Sequence, residues 1–403
     1  MAWDYARLKR LVRGEPLPAM LVDLDVLDAN VRRLGQVAQR HGKRLRVASK
    51  SVRVPHLLQR ILEVGGDTFQ GLMCFSVQEA SFLAVQGFDD LLVAYPTVQA
   101  GDLDAALHMT REGVEVTLML DSVEHVERIE EFCLARPDAA GHRLQVCIDV
   151  DMSYRPAGAH LGVQRSPIRS IEGFAEVARR ILHSRHLELR GVMGYEAQIA
   201  GLGDDSPFAP LLNPAKRLIK SRSVRDVARK REELARWLDR EDVVLPIFNG
   251  GGTGSIETTT QEPWITEVTA GSGFLQSHLF DYYRANRNDP AFCFALQVTR
   301  RPEPVMITCH SGGFIASGEV GPDRQPVVFL PEGLEPTRTE GFGEVQTPLK
   351  CPASLGLAPG DPVFFRPAKA GEIAERFGEY LLVERGEVVA RARTYRGLGQ
   401  TFF

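Results

Sequence analysis

Residues 45–53 read LRVASKSVR, an apolar, strand-like run that delivers Lys50 at its end. A small hydroxyl residue stands on each side of this lysine, and Arg53 follows. A lysine at a strand end often only extends its long stem toward water. In a barrel of parallel strands, however, the reactive groups lie where strands end and the following loops begin. The chain around Lys50 decides between these two interpretations.

That chain alternates between helical patterns and strand-like runs. Before Lys50, apolar residues recur at helical spacing from Leu27 to Ala38, with Asp25 as a candidate cap and Gly42 as the stop. The other strand-like runs end near Gly71, Ala94, Leu120, Val150, Tyr195, Asn249 and Thr269. Together with Lys50 they make about eight strand–helix units, the number that closes a parallel barrel. An open, doubly wound sheet would show the same alternation.

The alternation of strand-like and helical patterns ends after about residue 285. Short β-rich runs punctuated by Gly and Pro follow: FALQVTRR, PVMITCHS, QPVVFL, DPVFFRP and EYLLVERGEVVARARTY. We therefore predict an α/β fold, with a (β/α)8 TIM-type barrel in residues 25–285 and an antiparallel β-rich C-terminal domain. The second domain comprises residues 286–403 together with residues 1–24, because AMLVDL suits an extra strand.

Composition limits the partners and the compartment. The net charge is -4 and the basic residues are dispersed, which argues against nucleic acid as a partner. The N-terminal MAWDYARLKRLVRG lacks the apolar core of a signal peptide, and no apolar run reaches membrane-spanning length. Widely spaced cysteines without a Cys-x-x-Cys pair indicate reduced thiols. We predict a cytoplasmic protein with no membrane partner.

A glycine-rich run, FNGGGTGS at residues 248–255, follows the apolar strand VVLPI. Its glycines leave backbone N–H groups free to point at an anion, and Thr253 and Ser255 add hydroxyl donors. Such a run can also be a simple flexible turn, but the last loops of a barrel commonly hold phosphate. GSGF at residues 271–274 follows the next strand and suits the same site. A lysine amine that faces a phosphate-binding loop suggests pyridoxal 5'-phosphate, which forms a Schiff base with lysine.

These residues and motifs resemble a known family of pyridoxal phosphate enzymes, the D-threonine aldolase and D-serine dehydratase-like family. Its members belong to fold type III and share the barrel of alanine racemase. The family's lysine lies in a run like R-P-H-x-K-T-H-K; here Arg46, Lys50, Ser51 and Arg53 stand at matching or similar positions. PAMLVDLDVLDANV resembles the family's opening segment, and FNGGGTGS resembles its phosphate loop. The resemblance implies that Lys50 carries the cofactor as an aldimine.

Other motifs extend the resemblance to further site residues. GVMGYEAQIAG resembles the strand with a cofactor-contacting tyrosine, and CIDVDMSYRPAG resembles a segment whose arginine approaches the cofactor's phenolic oxygen, here with a spacing one residue longer. TEVTAGSGF resembles a segment ending Gly-Ser-Tyr, with Gly273 in place of the tyrosine. The resemblance implies this cofactor-binding set: Lys50, Arg155, Tyr195, Asn249, Gly250, Gly251, Gly252, Thr253, Gly254 and Ser272.

The sequence departs from the family at the metal site. The family's β domain usually carries a His-x-Cys pair whose divalent metal binds the substrate's β-hydroxyl. The matching stretch, RPAKAGEIAERFGEY, has Lys369 and Gly371 at those positions. Lysine is a poor metal ligand at neutral pH, and glycine offers no side chain. We predict no divalent metal and a catalytic role for Lys369 as a fixed cation; the alternative is a shifted site using His310 and Glu372.

The resemblance implies a lyase that cleaves or dehydrates a β-hydroxy, D-configured amino acid through a Lys50 aldimine, and it implies a homodimer. An amino acid racemase or epimerase on the same cofactor is the first alternative. It needs two bases on opposite faces of Cα, which would be Lys50 and a second group. A non-catalytic pyridoxal phosphate carrier is the second alternative, although known carriers with this barrel lack a further domain.

Overall fold

The computed structural model describes residues 3–285, 288–319 and 321–402. Strand β1 (Ala19–Asp23) comes before the barrel. The next eight strands are β2 (Arg44–Ala48), β3 (Phe69–Cys74), β4 (Leu91–Val93), β5 (Val116–Leu120), β6 (Leu144–Asp149), β7 (Leu187–Met193), β8 (Ile247–Gly250) and β9 (Glu267–Ala270). Each is parallel to its neighbours, and β2 pairs with both β3 and β9, which closes the barrel. The predicted TIM-type barrel is confirmed.

Helices precede, connect and follow these strands. They are α1 (Tyr5–Leu11), α2 (Leu24–Gln39), α3 (Pro55–Gly65), α4 (Val77–Val85), α5 (Ala100–Arg111), α6 (Val123–Leu134), α7 (Ile171–Leu182), α8 (Ala197–Ala200), α9 (Asn213–Arg240), α10 (Ile256–Thr259) and α11 (Ser272–Leu275). Within the described ranges, none of them combines the length and apolar character that crossing a membrane requires.

The cap of α2 differs from the prediction. Asp23, and not Asp25, caps this helix: its Oδ1 accepts a hydrogen bond from the Val26 N–H at 3.1 Å. The reason is that β1 passes directly into α2, so the last residue with extended backbone is Asp23. Asp25 lies in the first turn, where its carboxylate accepts from the Arg385 N–H at 2.7 Å.

The remaining strands form a second sheet. They are β10 (Phe292–Glu303), β11 (Met306–His310), β12 (Val327–Leu330), β13 (Glu335–Pro336), β14 (Gln346–Lys350), β15 (Pro362–Arg366), β16 (Glu379–Glu384) and β17 (Glu387–Arg393). Their order is β13-β14-β11-β10-β1-β16-β17, and β15 joins β10 to β12. The sheet is mostly antiparallel, as predicted for the C-terminal domain, with a parallel pairing between β1 and β16.

A buried ion pair fixes the strands that carry the site. Arg46 on β2 and Glu267 on β9 are joined by two hydrogen bonds of 2.8 and 2.9 Å, and both side chains are 1% exposed or less. Asn249 on β8 donates to the same Glu267 carboxylate at 2.7 Å. The ion pair therefore ties β2, β8 and β9 together within the barrel. Because these strands are parallel, the segments that follow them meet at one edge of the barrel.

Candidate active site

Lys50 lies in a single 3₁₀ turn, Ser49–Ser51, immediately after β2. Its Nζ donates a hydrogen bond of 3.0 Å to the Tyr95 hydroxyl. The turn is held from both sides: the Ser49 hydroxyl donates to the Met73 carbonyl at 2.9 Å, and Arg53 Nε donates to the Lys50 carbonyl at 3.0 Å. The lysine therefore points from the carboxyl end of a barrel strand, where reactive groups of this fold are placed.

The glycine-rich loop connects β8 to α10 and faces the same edge. Within the described part of the chain, the backbone N–H groups of Thr253, Gly254 and Ser272 find no acceptor. A Cβ at Gly254 would collide with the Ala200 carbonyl and with the Tyr283 ring, so this position requires glycine. The Gly273 N–H donates to the Thr253 hydroxyl at 3.0 Å, which joins this loop to the one after β9. Available N–H groups of this kind suit a phosphate.

A buried carboxylate shapes the loop from behind. Glu196 is fully buried and accepts hydrogen bonds from the Ser255 and Thr259 hydroxyls, both at 2.6 Å, and from the Gly251 N–H at 3.1 Å. It also pairs with the buried Arg231 guanidinium of α9. Burial raises the pKa of Glu196, but Arg231 and these donors outweigh burial and hold it below its ordinary value. The Ser255 hydroxyl, expected as a ligand donor, is therefore committed to Glu196.

One cavity of about 130 Å³ collects most of the predicted cofactor-binding residues. It is lined by Lys50, Tyr195, Asn249, Gly251, Gly252, Thr253 and Ser272. Gly250 ends β8 against the Arg231 guanidinium, and Gly254 borders a separate cavity behind the loop, so neither lines this one. A lysine amine and backbone N–H groups without an acceptor in the described chain lie in this one cavity and match the two ends of pyridoxal phosphate.

The arginine of this cavity is Arg165, and not the predicted Arg155. Arg155 pairs with Asp151 at 3.1 Å and does not line the cavity. Tyr154 and Leu161 form an antiparallel bridge that folds the intervening residues into a closed loop, so the chain returns to the cavity ten residues later. The Arg165 guanidinium lies 5.8 Å from the Tyr195 ring centroid. In the sequence, the segment CIDVDMSYRPAG has a spacing one residue longer than the family's, and this spacing was the signal that Arg155 does not take the family's position.

Tyr95 is a second residue of the cavity that the sequence did not predict. It follows β4, lines the cavity and accepts the hydrogen bond from Lys50. Burial raises the pKa of Tyr95, but the Lys50 ammonium and the Arg165 guanidinium lower it more, so the net shift is downward. Burial and the neighbouring Glu196 carboxylate instead raise the pKa of Tyr195 to about 12. No local motif marks Tyr95, because only the barrel brings it to Lys50.

Comparison with known proteins gives the family. Residues 22–272 match the family model described as alanine racemase, N-terminal domain. The chain belongs to this family. D-threonine aldolase of Arthrobacter sp. is 24% identical over 87% of this chain and 88% of its own length. The 3-hydroxy-D-aspartate aldolase of Paracoccus denitrificans (strain Pd 1222) is 23% identical over 63% of this chain, but the match spans only 59% of that relative.

The fold of this alanine racemase family member also matches solved structures. D-threonine aldolase from Filomicrobium marinum has a TM-score of 0.78 and 17% sequence identity, with 95% of each chain covered. The resemblance predicted from the sequence is confirmed at the level of family and fold.

At the position of the expected metal pair, the side chains form a hydrogen-bonded polar cluster. Lys369 Nζ donates to Glu372 Oε1 at 2.7 Å and to the Ser317 hydroxyl at 2.8 Å. Both Glu372 oxygens accept from Ser317, from its N–H at 2.7 Å and its hydroxyl at 2.6 Å. Burial raises the pKa of Glu372, but Lys369 and Ser317 lower it more. Lys369 and Lys50 line a wider cleft of about 670 Å³ over the barrel mouth.

The residues of this cluster do not fit a divalent metal. Glu372 is already occupied by Lys369 and Ser317, and a cation beside the Lys369 ammonium would be repelled. His310, the other candidate ligand, is exposed at the end of β11 and does not line the cleft. Across the described ranges, no group of three or more His, Cys, Asp or Glu side chains is placed to hold a metal ion.

Proposed function

We propose that the protein is a pyridoxal phosphate-dependent lyase acting on a β-hydroxy amino acid of D configuration, by aldol cleavage or dehydration. The observation that carries this proposal is that the Lys50 amine shares one cavity with Thr253 and Ser272, whose backbone N–H groups have no acceptor in the described chain. The names of the relatives, D-threonine aldolase and 3-hydroxy-D-aspartate aldolase, support the reaction class.

The chain's own residues would hold the cofactor at its two ends. Lys50 would bind it covalently through its amine, and the N–H groups of Thr253 and Ser272 would bind its phosphate. Tyr195, Asn249 and the glycines at 251 and 252 form the walls between these ends. When bound, pyridoxal phosphate supplies an electron sink for the breaking of a bond to the substrate's Cα or Cβ.

Lys369 would bind the substrate's β-hydroxyl. An ammonium has three N–H donors, and two of them point to Glu372 and Ser317, which leaves one for the substrate. The two partners also fix the long side chain, so less conformational entropy is lost when substrate binds. A fixed positive charge stabilises the alkoxide that forms when the β-hydroxyl loses its proton, the state from which the Cα–Cβ bond breaks in aldol cleavage.

Three outcomes of one assay separate the candidate functions. The cofactor-loaded protein is incubated with D-threonine, D-serine, 3-hydroxy-D-aspartate and D-alanine. We expect an aldehyde or a keto acid from at least one β-hydroxy substrate and nothing from D-alanine. Formation of L-isomers would instead identify a racemase. Cofactor binding without turnover of any of the four would identify a carrier.

The domain division and the assembly complete the proposal. We infer a barrel domain at residues 25–285 and a β domain made of residues 1–24 and 286–403, supported by the pairing of β1 with β10 and β16. We propose a homodimer in which the β domain of one chain covers the other's barrel mouth, and a cytoplasmic location. All six cysteines are buried and free, as suits a reducing compartment.

A further inference from the structure

Tyr95 stands out among the residues of the cavity because it contacts the reactive nitrogen directly. Its hydroxyl lies 3.0 Å from Lys50 Nζ, and the same Nζ lies 5.6 Å from the centre of the Tyr95 ring. Tyr95 follows β4, two strands from β2 in the barrel, whereas the glycine-rich loop follows β8 on the opposite side of β2. The Lys50 amine therefore has the phenol on one side and the anion-binding N–H groups on the other.

The charged groups around the Tyr95 phenol differ from those around Tyr195, which lines the same cavity. Tyr95 faces Lys50 from the turn after β2, Arg165 from the segment after β6, Asp149 from the end of β6, and Tyr195 from the segment after β7. Burial and Asp149 disfavour its ionised form, but the two cations outweigh them, so the pKa of Tyr95 is lowered. Tyr195 contacts the same arginine, yet burial and Glu196 raise its pKa to about 12.

We propose that Tyr95 is a catalytic residue that exchanges a proton with the Lys50 amine. A lysine amine must be neutral before its nitrogen can form a bond to carbon. In the forward direction an N–H bond of the Lys50 ammonium breaks, and the proton forms an O–H bond on the Tyr95 phenolate. In the reverse direction the phenol returns that proton to the nitrogen when lysine is released. No other reactant is needed, and the exchange requires no movement beyond the existing hydrogen bond.

The inference rests on the proposed function, and its test separates the two. Lys50→Ala examines the proposed function: if this variant still shows the wild-type visible absorbance with cofactor, then Lys50 is not its attachment site. Tyr95→Phe examines the proton exchange and keeps the ring. We expect this variant to bind cofactor and show the visible band, whereas the rate at which an added amino acid displaces Lys50 falls 10²- to 10⁴-fold, as for other lost acid–base groups. An unchanged rate and pH profile would overturn the proposal.

A readout without cofactor examines the phenol itself. In spectrophotometric titration of the apoprotein, we expect one phenol to ionise below the ordinary value of about 10. That step should be missing in Tyr95→Phe and retained in Tyr195→Phe, the matched control from the same cavity. If both variants retain the step, the proposal fails.

A second variant applies if Tyr95→Phe misfolds or loses cofactor. Replacement of Tyr95 by 3,5-difluorotyrosine keeps the hydroxyl and makes it more acidic. We expect the rise in the lysine-displacement rate that follows ionisation of this phenol to move to lower pH. A rise that stays at the same pH would overturn the role of Tyr95.

Discussion

The backbone of Gly371 lies directly against the Lys50 carbonyl oxygen, so closely that a Cβ at position 371 would collide with it. Gly371 comes from the segment between β15 and β16, and Lys50 comes from the turn after β2. The sheet domain is therefore seated on the turn that presents the lysine. Arg53 strengthens the contact, because it donates to the Lys50 carbonyl at 3.0 Å and pairs with Glu375 at 2.7 Å. No side chain, and in particular no metal-binding cysteine, fits at position 371.

Gly371→Ala should therefore displace the Lys50 turn. We expect a loss of about 1–3 kcal/mol of stability from overpacking, together with weaker cofactor binding, measured by urea denaturation and by titration of the visible absorbance. Gly101→Ala is the matched control, because a Cβ at Gly101 meets no atom within 4 Å. Equal stability and equal cofactor affinity in both variants would show that the contact is not restrictive.

Lys50→Ala should abolish the covalent attachment of the cofactor. The wild-type protein loaded with pyridoxal phosphate should be yellow, and borohydride should fix the cofactor to the chain irreversibly. The variant should lose both properties, because alanine offers no amine at this position. Mass spectrometry of the reduced protein locates the modified residue, and a modification on another lysine would contradict the assignment.

Catalysis should not depend on a divalent metal. Lys369 and Gly371 provide no ligand atoms suited to one, and Glu372 is engaged by Lys369 and Ser317. Prolonged chelation followed by an activity assay should leave the rate unchanged. Activity that disappears with chelator and returns with manganese or zinc would contradict this prediction and reveal a metal-binding site.

Lys369→Met should lower kcat/KM by roughly 10²-fold, the size of effect seen when a donor to a developing oxyanion is removed. Methionine keeps most of the stem but carries no charge. The loss should exceed that of Lys216→Met, since Lys216 lines the same cleft on a different element, α9. Similar small losses in both variants would remove Lys369 from the reaction.

Glu196→Gln should weaken the binding of phosphate more than the binding of the ring. The glutamine cannot satisfy both hydroxyl donors, the Gly251 N–H and the Arg231 guanidinium, so the loop should lose its shape. We expect the ratio of affinities for pyridoxal phosphate and unphosphorylated pyridoxal to fall. A parallel loss of affinity for both compounds would indicate general destabilisation.

Glu79 should make the protein less stable as the pH rises toward neutrality. Its buried carboxyl accepts hydrogen bonds from the Phe75 N–H at 2.7 Å and the Tyr395 hydroxyl at 2.8 Å. Burial raises the pKa of Glu79 from 4.5 to about 7, which corresponds to about 3 kcal/mol. The protonated form is favoured in the folded state, so this stability is complete below pH 4.5 and is lost as the pH rises through 7.

Urea denaturation between pH 5 and 8 checks this dependence. Asp149, whose pKa burial and Asp121 also raise to about 7, contributes with the same sign. The difference between wild type and Glu79→Gln therefore isolates Glu79, and we expect a flatter pH dependence in the variant. Glu131→Gln, on the exposed face of α6, should keep the wild-type dependence. Parallel curves for wild type and Glu79→Gln would contradict the prediction.

The sequence by itself determined the features that arise from local spacing. Alternating strand and helix periods predicted eight barrel strands, including the one that ends at Lys50, and short β-rich runs predicted the second sheet. The glycine run predicted a loop with available N–H groups, because removing side chains exposes the backbone wherever the loop lies. These properties depend on residues within a few positions of one another, so pattern alone carries them.

Only the tertiary structure decided which side chains meet. Tyr95 reaches Lys50, and Gly371 reaches the Lys50 carbonyl, across 45 and 321 positions of chain. Arg165 rather than Arg155 enters the cavity because a bridge folds the intervening loop away. The Ser255 hydroxyl points to Glu196 and not to a ligand, because a buried carboxylate must find donors. Such choices follow from packing and from the pairing of buried charges, which act only once the barrel and the sheet have assembled.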